Sequence, residues 1–379
     1  MKNGVDLPEA ALEASDRLFV FKETEHPEGG TPRNFSFTSA DVAPLGYEDL
    51  AAAQLHKSIS IPLEIMGARI VETDVDGMDK SKPVRIRARL ESPFTSRAIG
   101  LVRGGWLPPT LAATRKSAVI LTDRNIIAMI TGRFKDGRPV RREPDFIDLF
   151  EDEPVRINPS LSVIEGNSRA IPDPSSVRDQ YAEVIVKVAN ALPRARLMVG
   201  PGSIQGIVGL IEDTRPTLVR EKALLRRFAS VLGAPVALSN RDARWREVIT
   251  AADELGVRRN ALVVLAMLSA IVNPRGYCAA KKVLKLNADY SDGDAYNALS
   301  DLRSLKLLMY CFACYPEENT QLCTQDRHLA HFWVGIGASD FRLVGKGLRC
   351  SMTPHEAILP GPYCQRWMAD IAAGADQSV

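Results

Sequence analysis

The stretch Ser117–Ile127, SAVILTDRNII, predicts that this chain folds around a sheet of parallel strands. Its apolar and β-branched first half favours a buried strand, and Asp123 follows where that strand should end. A second stretch of the same kind, Gln321–His328 (QLCTQDRH), places Asp326 after another apolar segment. Because ligands bind at the carboxyl ends of the strands in an open parallel sheet, we expect both carboxylates to line one crevice.

Three more carboxylates between these stretches are candidates for the same crevice. Glu165, in VIEGN, ends the short apolar segment Ser160–Glu165, which we interpret as another strand. Asp294 and Asp301 are seven residues apart on a predicted helix and therefore share one of its faces. Converging carboxylates repel one another unless a cation neutralises them, and Mg²⁺ or Mn²⁺ commonly does so. The pattern therefore indicates metal-assisted hydrolysis of a phosphodiester.

Length and composition are those of an ordinary globular protein. The chain has 379 residues, of which 45% are hydrophobic and 25% are charged, and two domains are a reasonable expectation for this length. The net charge of +2 neither demands nor excludes a nucleic-acid partner. The longest apolar stretch, Ala261–Val272, is too short to cross a bilayer, and the N-terminus does not resemble a secretory signal. We expect a soluble, cytoplasmic protein with free cysteine thiols and no membrane partner.

The texture of the sequence changes along the chain and predicts four segments. Residues 1–35 form an irregular arm, and residues 36–110 form a small β-containing domain with two alternating strands at 57–92. The boundary falls within 93–116, and residues 117–345 form the main α/β domain. Residues 346–379 form a C-terminal extension.

Several helices of the main domain are predicted from apolar periodicity and capping residues. Ser291 or Asp292 is the expected N-cap of the helix Asp294–Leu308. The predicted helices are Asn125–Thr131 (interrupted by Gly132), Arg178–Leu192, a helix from Ser203, Thr217–Leu232, Asp294–Leu308 and Arg327–Trp333, with Arg241–Leu255 and the buried segment Asn260–Val272 between them.

The two quoted stretches together resemble the PIN domain nucleases. ILTDRNII is similar to the opening strand and first acid of that family, and LCTQDRHLAHF is similar to its closing motif. The resemblance covers residues 117–345 and implies a Rossmann-like, three-layer α/β/α fold with a central parallel sheet. It implies that Asp123 and Asp326 lie at a metal, that Asn125 is a supporting polar residue, and that Thr324 steadies the site.

The resemblance also implies a second and a third acid. Glu165 lies 42 residues after Asp123 and has the expected spacing for the second acid, with Glu212 and Glu221 as weaker candidates. Asp301, 25 residues before Asp326, has the better spacing for the third acid, although Asp294 starts an Asp-Ala pair often found at that helix. The metal ligands would be Asp123, Asp301 and Asp326, with Glu165 and Asp294 completing the catalytic candidates.

The activity implied is that of a Mg²⁺- or Mn²⁺-dependent nuclease. RNA is the expected substrate, in single-stranded form, because that is what the resemblance implies for most such domains. Arg124, Arg303 and Arg327 lie next to the candidate acids in sequence and are the expected phosphate contacts. A homo-oligomer or a regulatory partner remains open.

Two other functions are compatible with the same residues. The chain could be a catalytically degenerate PIN-like module that binds nucleic acid or a partner protein, or a metal-dependent phosphatase on a related sheet. Each acid also has an ordinary structural interpretation, since Asp123 and Asp326 are well placed to cap the helices that follow them. The sequence has no G-x-S-x-G and no Walker motif, so serine hydrolases and P-loop NTPases are not indicated.

Two pairs of metal-ligating residue types are interpreted as structural. Cys311 and Cys314 have the spacing of half a zinc site, but they lie in an apolar run that is typical of a helix end. His328 and His331 are spaced like a helical metal pair, but Phe332 and Trp333 next to them favour packing.

Overall fold

The chain has a mixed α/β fold. The computed structural model describes residues 19–22, 33–38, 41–77, 79–140, 143–151, 154–273, 276–345 and 347–375. The predicted arm, residues 1–35, lies largely outside the described residues. Within the described ranges, no helix is both long and apolar enough to cross a membrane, and all six cysteines are free, as expected.

The first strands form a separate antiparallel sheet. They are β1 (Phe19–Lys22), β2 (Asn34–Thr38), β3 (Asp41–Val42), β4 (Ile59–Thr73) and β5 (Val84–Ser92). β4 pairs with β2, β3 and β5, and a small core including Phe37, Ile65 and Ile70 covers one face. The two alternating segments predicted at 57–92 are therefore confirmed as a strand pair.

The central sheet is built from later parts of the chain. The strands that follow are β6 (Ile99–Val102), β7 (Gly105–Leu107), β8 (Ala118–Thr122), β9 (Phe134–Lys135), β10 (Arg138–Pro139), β11 (Arg156–Asn158), β12 (Arg196–Leu197) and β13 (Asn319–Thr324). The order across the sheet is β12-β11-β8-β13-β6-β7, and β9 and β10 form a hairpin of their own. β12, β11, β8 and β13 are parallel, so the predicted strands at both quoted stretches are confirmed as neighbours.

The sheet as a whole is mixed, so the predicted parallel arrangement holds for β12, β11, β8 and β13 and does not extend to β6 and β7. β6 runs antiparallel to β13, and a two-residue turn at Arg103 and Gly104 returns the chain into β7. Such a short turn can only join antiparallel strands, and Gly104 adopts the positive φ of 83° that the turn requires.

The predicted domain boundary within 93–116 also needs correction. β6 and β7 were assigned to the small β-containing domain, yet they belong to the central sheet. Leu45 and Trp106 exchange backbone hydrogen bonds of 2.9 and 3.1 Å, and both side chains are buried in the main core. β6, β7 and the segment around Leu45 are therefore packed into the same core as the α/β part.

Helices cover the sheet. They are α1 (Tyr47–Ala52), α2 (Pro109–Ala113), α3 (Arg124–Arg133), α4 (Ser160–Glu165), α5 (Pro174–Ala191), α6 (Ser203–Gly233), α7 (Arg241–Glu254), α8 (Leu262–Val272), α9 (Ala279–Val283), α10 (Asp292–Cys314), α11 (Arg327–Ile336) and α12 (Gly361–Ala375). Short 3₁₀ helices lie at Phe146–Phe150 and Leu238–Asn240. α5, α7, α10 and α11 follow the predicted periodicity, Ser291 caps α10, and every residue of α8 is buried.

Three local predictions were wrong. Residues 160–165 form the helix α4 instead of a strand, because a short apolar run can suit either element and only its packing decides. α6 is one helix through Pro216, which removes a single hydrogen bond while buried Ile211 and Leu218 anchor both sides. Gly132 does not interrupt α3.

The C-terminal residues are part of the packed structure. β14 (Ala338–Val344) and β15 (Gly347–Met352) form an antiparallel hairpin beside α10. In α12 the Trp367 side chain is fully buried, and its indole N–H donates to the carbonyl of Arg259 at 3.1 Å. The segment predicted as an extension therefore closes part of the core.

Candidate functional site

Asp123 stands at the carboxyl end of β8 and begins α3. Its Oδ1 accepts a hydrogen bond from the backbone N–H of Ile126 at 2.7 Å, which makes it the N-cap of the helix. The residue is only 8% exposed. Burial raises the pKa of its carboxyl to about 6, the charge of Asp326 adds to the increase, and hydrogen bonds from Ile126 and the Thr324 hydroxyl oppose it.

Asp326 stands at the corresponding position after β13. Its Oδ1 accepts hydrogen bonds from the backbone N–H groups of His328 and Leu329, at 2.7 and 3.0 Å, and so caps α11. β13 lies beside β8 with Cys323 opposite Thr122, so the two aspartates leave the same edge of the sheet from adjacent strands. Both therefore cap helices, and both also face the charge of the other.

Thr324 connects these two aspartates. It is 1% exposed, its Oγ1 accepts the backbone N–H of Asp326 at 3.1 Å, and its hydroxyl donates to the Asp123 carboxylate. The residue that the resemblance put in a steadying role therefore contacts both acids.

Glu165 is the last residue of α4 and lies against the start of α3. Its Oε2 accepts the backbone N–H of Arg124 at 3.1 Å. Burial raises the pKa of its carboxyl to about 8, and the charges of Asp123 and Asp301 contribute. The helix end is fixed from α10, where the Tyr296 hydroxyl donates to the carbonyl of Glu165 at 2.9 Å.

Asp301 is the fourth acid and lies inside α10. Its Oδ2 accepts a hydrogen bond from the Lys285 ammonium at 2.7 Å. Burial raises the pKa of its carboxyl to about 6, with smaller increases from Asp326 and Asp123, although Lys285 favours the charged form. The paired lysine therefore offsets only part of the cost of burying this charge.

The structure thus brings four carboxylates, from four different elements, within electrostatic reach of one another. Among the described residues, no group of three or more His, Cys, Asp or Glu side chains forms a ready-made metal-binding set. The helix-capping and ion-pair contacts given above use one oxygen of each carboxylate: Oδ1 of Asp123 and Asp326, Oε2 of Glu165 and Oδ2 of Asp301. An all-oxygen set with excess negative charge is chemically suited to Mg²⁺ or Mn²⁺, and rotation of the side chains would be needed to converge on the ion.

Asp294 does not belong to this group. Its carboxylate accepts hydrogen bonds from the backbone N–H and the hydroxyl of Ser291, at 3.0 and 2.7 Å, and closes the capping box of α10. These contacts, with the charge of Arg169, lower its pKa, which is the opposite of the shift at Asp301. The prediction of Asp294 as a catalytic residue is corrected, since seven residues along a helix separate it from the site.

The weaker candidates for the second acid also have structural partners. Glu212 is paired with Arg215 on the exposed surface of α6. Glu221 is buried and paired with Lys306. Glu165 is therefore the acid that the structure places beside Asp123.

Asn125 is exposed, and its contact with the site differs from the expected one. The backbone N–H of Asn125 helps to lower the pKa of Asp123. The side-chain amide of Asn125 is not among the described contacts of the site. The support predicted for Asn125 therefore comes from its backbone N–H at the start of α3.

The three arginines predicted as phosphate contacts have other roles. Arg327 donates to the carbonyls of Leu50, Ala51 and Ala53, at 3.0, 3.3 and 3.0 Å, and so closes the C-terminal end of α1. The Arg327 guanidinium is therefore held at the end of α1, and the prediction that it contacts the substrate phosphate is corrected.

Arg303 is 8% exposed and lies beneath α4. Its Nη2 donates to the carbonyl of Ile164 at 2.6 Å, and its Nε and Nη1 have no hydrogen-bond partner among the described residues. Its charge lowers the pKa of Glu165. It is too buried to be a contact for a long substrate.

Arg124 is exposed, but its guanidinium Nη1 donates to the carbonyl of Gly166 at 2.8 Å. Of the three predicted contacts it is the one still open to solvent beside the acids.

Sequence reasoning missed Lys285. The basic residues predicted to lie near the acids were arginines, yet the side chain that contacts an acid of the site is the lysine just after α9. Lys285 has a φ of 54°, in the left-handed region, and no pattern in a single sequence announces that conformation.

The two histidines of α11 are joined by a residue from another segment. The Tyr277 hydroxyl hydrogen-bonds to Nδ1 of His328 at 3.0 Å and to Nδ1 of His331 at 3.1 Å. Nδ1 of His331 also donates to the carbonyl of Arg327 at 2.8 Å. Both histidines therefore have structural hydrogen-bond partners.

Comparisons with protein-family models, with curated proteins and with solved structures found no match.

Proposed function

We propose that the chain is a PIN-like, Mg²⁺- or Mn²⁺-dependent nuclease with Asp123, Glu165, Asp301 and Asp326 as its acids. One observation carries the proposal: Asp123 and Asp326 follow adjacent parallel strands, Glu165 and Asp301 approach them from α4 and α10, and burial and mutual repulsion raise the pKa of Asp123, Glu165 and Asp301. Perturbed carboxyl groups gathered in this way are typical of functional sites, because a fold that gained nothing from them would be more stable without them.

The residues would divide the work as follows. Asp123, Asp301 and Asp326 would hold the cation, and Glu165 would complete the charge around it. When bound, the cation supplies activation of a water molecule and neutralises charge on the phosphate. Thr324 fixes the relative position of Asp123 and Asp326, while Tyr296 and Arg303 hold the end of α4 and hence Glu165.

RNA is the proposed substrate, in single-stranded form, and this part rests on the resemblance to PIN domains. The basic side chains that remain open beside the acids are those of Arg124 and Lys285. Contacts from such residues to the phosphate backbone give affinity without base specificity.

The experiment is cleavage of labelled single-stranded RNA and DNA with Mn²⁺ or with EDTA, comparing wild type with Asp123→Asn and Asp326→Asn. We expect metal-dependent cutting that falls at least about 100-fold in each variant, since each removes a charged ligand. Asparagine caps helices as well as aspartate does, so α3 and α11 should remain folded.

Asp294→Asn is the matched control, because it changes an aspartate of α10 outside the cluster and should leave cleavage unchanged. Equal activity of wild type, Asp123→Asn and Asp326→Asn would contradict the proposal. Hydrolysis of small phosphoesters without any action on polynucleotides would indicate a phosphatase instead.

A catalytically degenerate PIN-like module that binds nucleic acid or a partner protein is the second candidate. The observation that favours it is that the described residues hold no assembled set of three ligands. Calorimetric titration with Mn²⁺ separates the two, since a degenerate module should bind no Mn²⁺ through Asp123 and Asp326.

A further inference from the structure

Lys285 is the one cation in direct contact with an acid of the cluster among the contacts described above. Its Nζ lies 2.7 Å from Oδ2 of Asp301, and its side chain is 36% exposed against 22% for that of Asp301. The ammonium therefore lies at the boundary between the carboxylates and solvent.

The backbone of Lys285 ends α9 in a left-handed turn. Its φ is 54°, and the backbone N–H groups of Lys285 and Leu286 donate to the carbonyls of Lys282 and Lys281, as is common at a helix C-terminus. Leu284 on one side is fully buried in the main core, and the Asn287 side chain donates to the Lys285 carbonyl at 3.1 Å. The turn after α9 is thus fixed by its neighbours, and it delivers the lysine to Asp301.

A structural salt bridge alone is a weak reason for this arrangement. A partly exposed ion pair contributes little to stability by itself. The relevant fact is which acid the lysine contacts: Asp301 is at once a proposed metal ligand and a neighbour of the charges on Asp123 and Asp326.

We propose that the Lys285 ammonium neutralises Asp301 in the metal-free protein and that a divalent ion displaces it. The displaced ammonium then binds the substrate phosphate. This inference rests on the proposed function. A divalent ion neutralises more of the charge of several carboxylates than one ammonium does, and two cations in contact with one carboxylate repel each other. The flexible four-carbon stem of lysine allows its ammonium to move while the backbone stays in place.

The displaced ammonium would remain next to the site. A phosphodiester bound at the ion brings negative charge to the place that Lys285 has just left, and lysine is a common point-charge ligand of phosphate. The same residue would therefore compete with the ion in the free protein and assist the substrate in the loaded one. Removing the Lys285 ammonium should therefore strengthen binding of the ion and weaken binding of the substrate, and the two changes can be measured separately.

The experiment compares wild type with Lys285→Met, Lys285→Gln and the matched control Lys282→Met, an exposed lysine on the adjacent α9. Mn²⁺ binding is measured by titration calorimetry without substrate, and kcat and KM for single-stranded RNA are measured at saturating Mn²⁺. Thermal unfolding in EDTA checks that each variant is folded, and the glutamine variant keeps a hydrogen-bond donor for Asp301 if the methionine variant does not fold.

We expect both Lys285 variants to bind Mn²⁺ several-fold more tightly than wild type, while their KM for RNA rises about 10-fold. The slope of log kcat/KM against log salt should become shallower by about 0.7, the value for one lost phosphate contact on a single strand. Lys282→Met should match wild type in all three quantities.

Unchanged or weaker Mn²⁺ binding in the Lys285 variants would overturn the inference and leave the nuclease proposal intact, because the lysine would then only support Asp301. Tighter Mn²⁺ binding with an unchanged KM would overturn the phosphate contact. A wild-type protein that binds no Mn²⁺ and cuts no RNA would overturn the proposed function, and the inference with it.

Discussion

At the scale of single residues, the Thr324 hydroxyl connects two acids of the site, Asp123 and Asp326. It is buried, accepts a hydrogen bond from the backbone of Asp326 and donates one to the carboxylate of Asp123. Residues that orient metal ligands through such hydrogen bonds often matter nearly as much as the ligands themselves. Valine has nearly the same shape as threonine but lacks the hydroxyl, so it isolates this contribution.

We predict that Thr324→Val weakens Mn²⁺ binding by about 10-fold or more and lowers the free energy of unfolding by about 1–2 kcal/mol. Thr324→Ser keeps the hydroxyl and should retain most of the Mn²⁺ affinity and most of the free energy of unfolding. Calorimetric titration and urea denaturation measure the two effects. Similar losses in the valine and serine variants would mean that the methyl group, and so packing, matters more than the hydrogen bonds.

At the scale of elements, α10 and α11 each join the site to a different part of the fold. α10 supplies Asp301 and holds the end of α4 through Tyr296 and Arg303. Asp326 caps α11, and the first residue of this helix, Arg327, donates to the last carbonyls of α1. The acid and the arginine are neighbours in sequence, but they face different partners because successive residues at a helix start point in different directions.

For Arg327 we predict a role in stability. Arg327→Met leaves the terminal carbonyls of α1 without their donor and should lower the free energy of unfolding by roughly 1–3 kcal/mol. The salt dependence of RNA cleavage should stay that of wild type, since no phosphate contact is removed. Denaturant titration and cleavage at several salt concentrations test this, and a shallower salt slope would restore Arg327 to the substrate contacts.

At the scale of the whole molecule, the four acids come from distant parts of the chain. Bringing them together in the fold disfavours their charged forms, because they are partly buried and repel one another. The pKa values of Asp123, Glu165 and Asp301 are raised above those of an unfolded chain, about 4, because burial opposes the charged form. The folded state therefore favours the protonated acids. Their contribution to stability is fully present below about pH 4 and is lost as the pH rises through about 6 for the aspartates and about 8 for Glu165.

We predict that the metal-free protein loses stability between pH 5 and pH 8, and that Mn²⁺ restores it at pH 8. Glu165→Gln should remove the largest part of this pH dependence, because the pKa of Glu165 is raised further than that of Asp123 or Asp301. Glu212→Gln, on the exposed surface of α6, is the control and should leave it unchanged. Urea denaturation in EDTA across this pH range gives the measurement, and identical pH profiles for wild type and Glu165→Gln would contradict the prediction.

Local patterns determined much of the architecture. The apolar run before Asp123, the polar residues after it and the matching stretch at Asp326 predict two strand–acid–helix units, because hydrophobic periodicity and capping act over a few residues. The same local rules located the helices α5, α7 and α10 and the strand pair β4–β5. They failed for Ser160–Glu165, where an apolar run fits a strand or a helix equally well.

Only the tertiary structure decided which groups meet. It selected Asp301 over Asp294, brought Lys285 to Asp301, turned Arg327 toward α1, and added the antiparallel strands β6 and β7 to the sheet. These outcomes depend on contacts between residues far apart in the chain, where burial and the positions of other charges set the energy. The sequence by itself determined the elements that carry Asp123, Asp301 and Asp326, and long-range packing determined the fold of Ser160–Glu165 and the site that the four acids form.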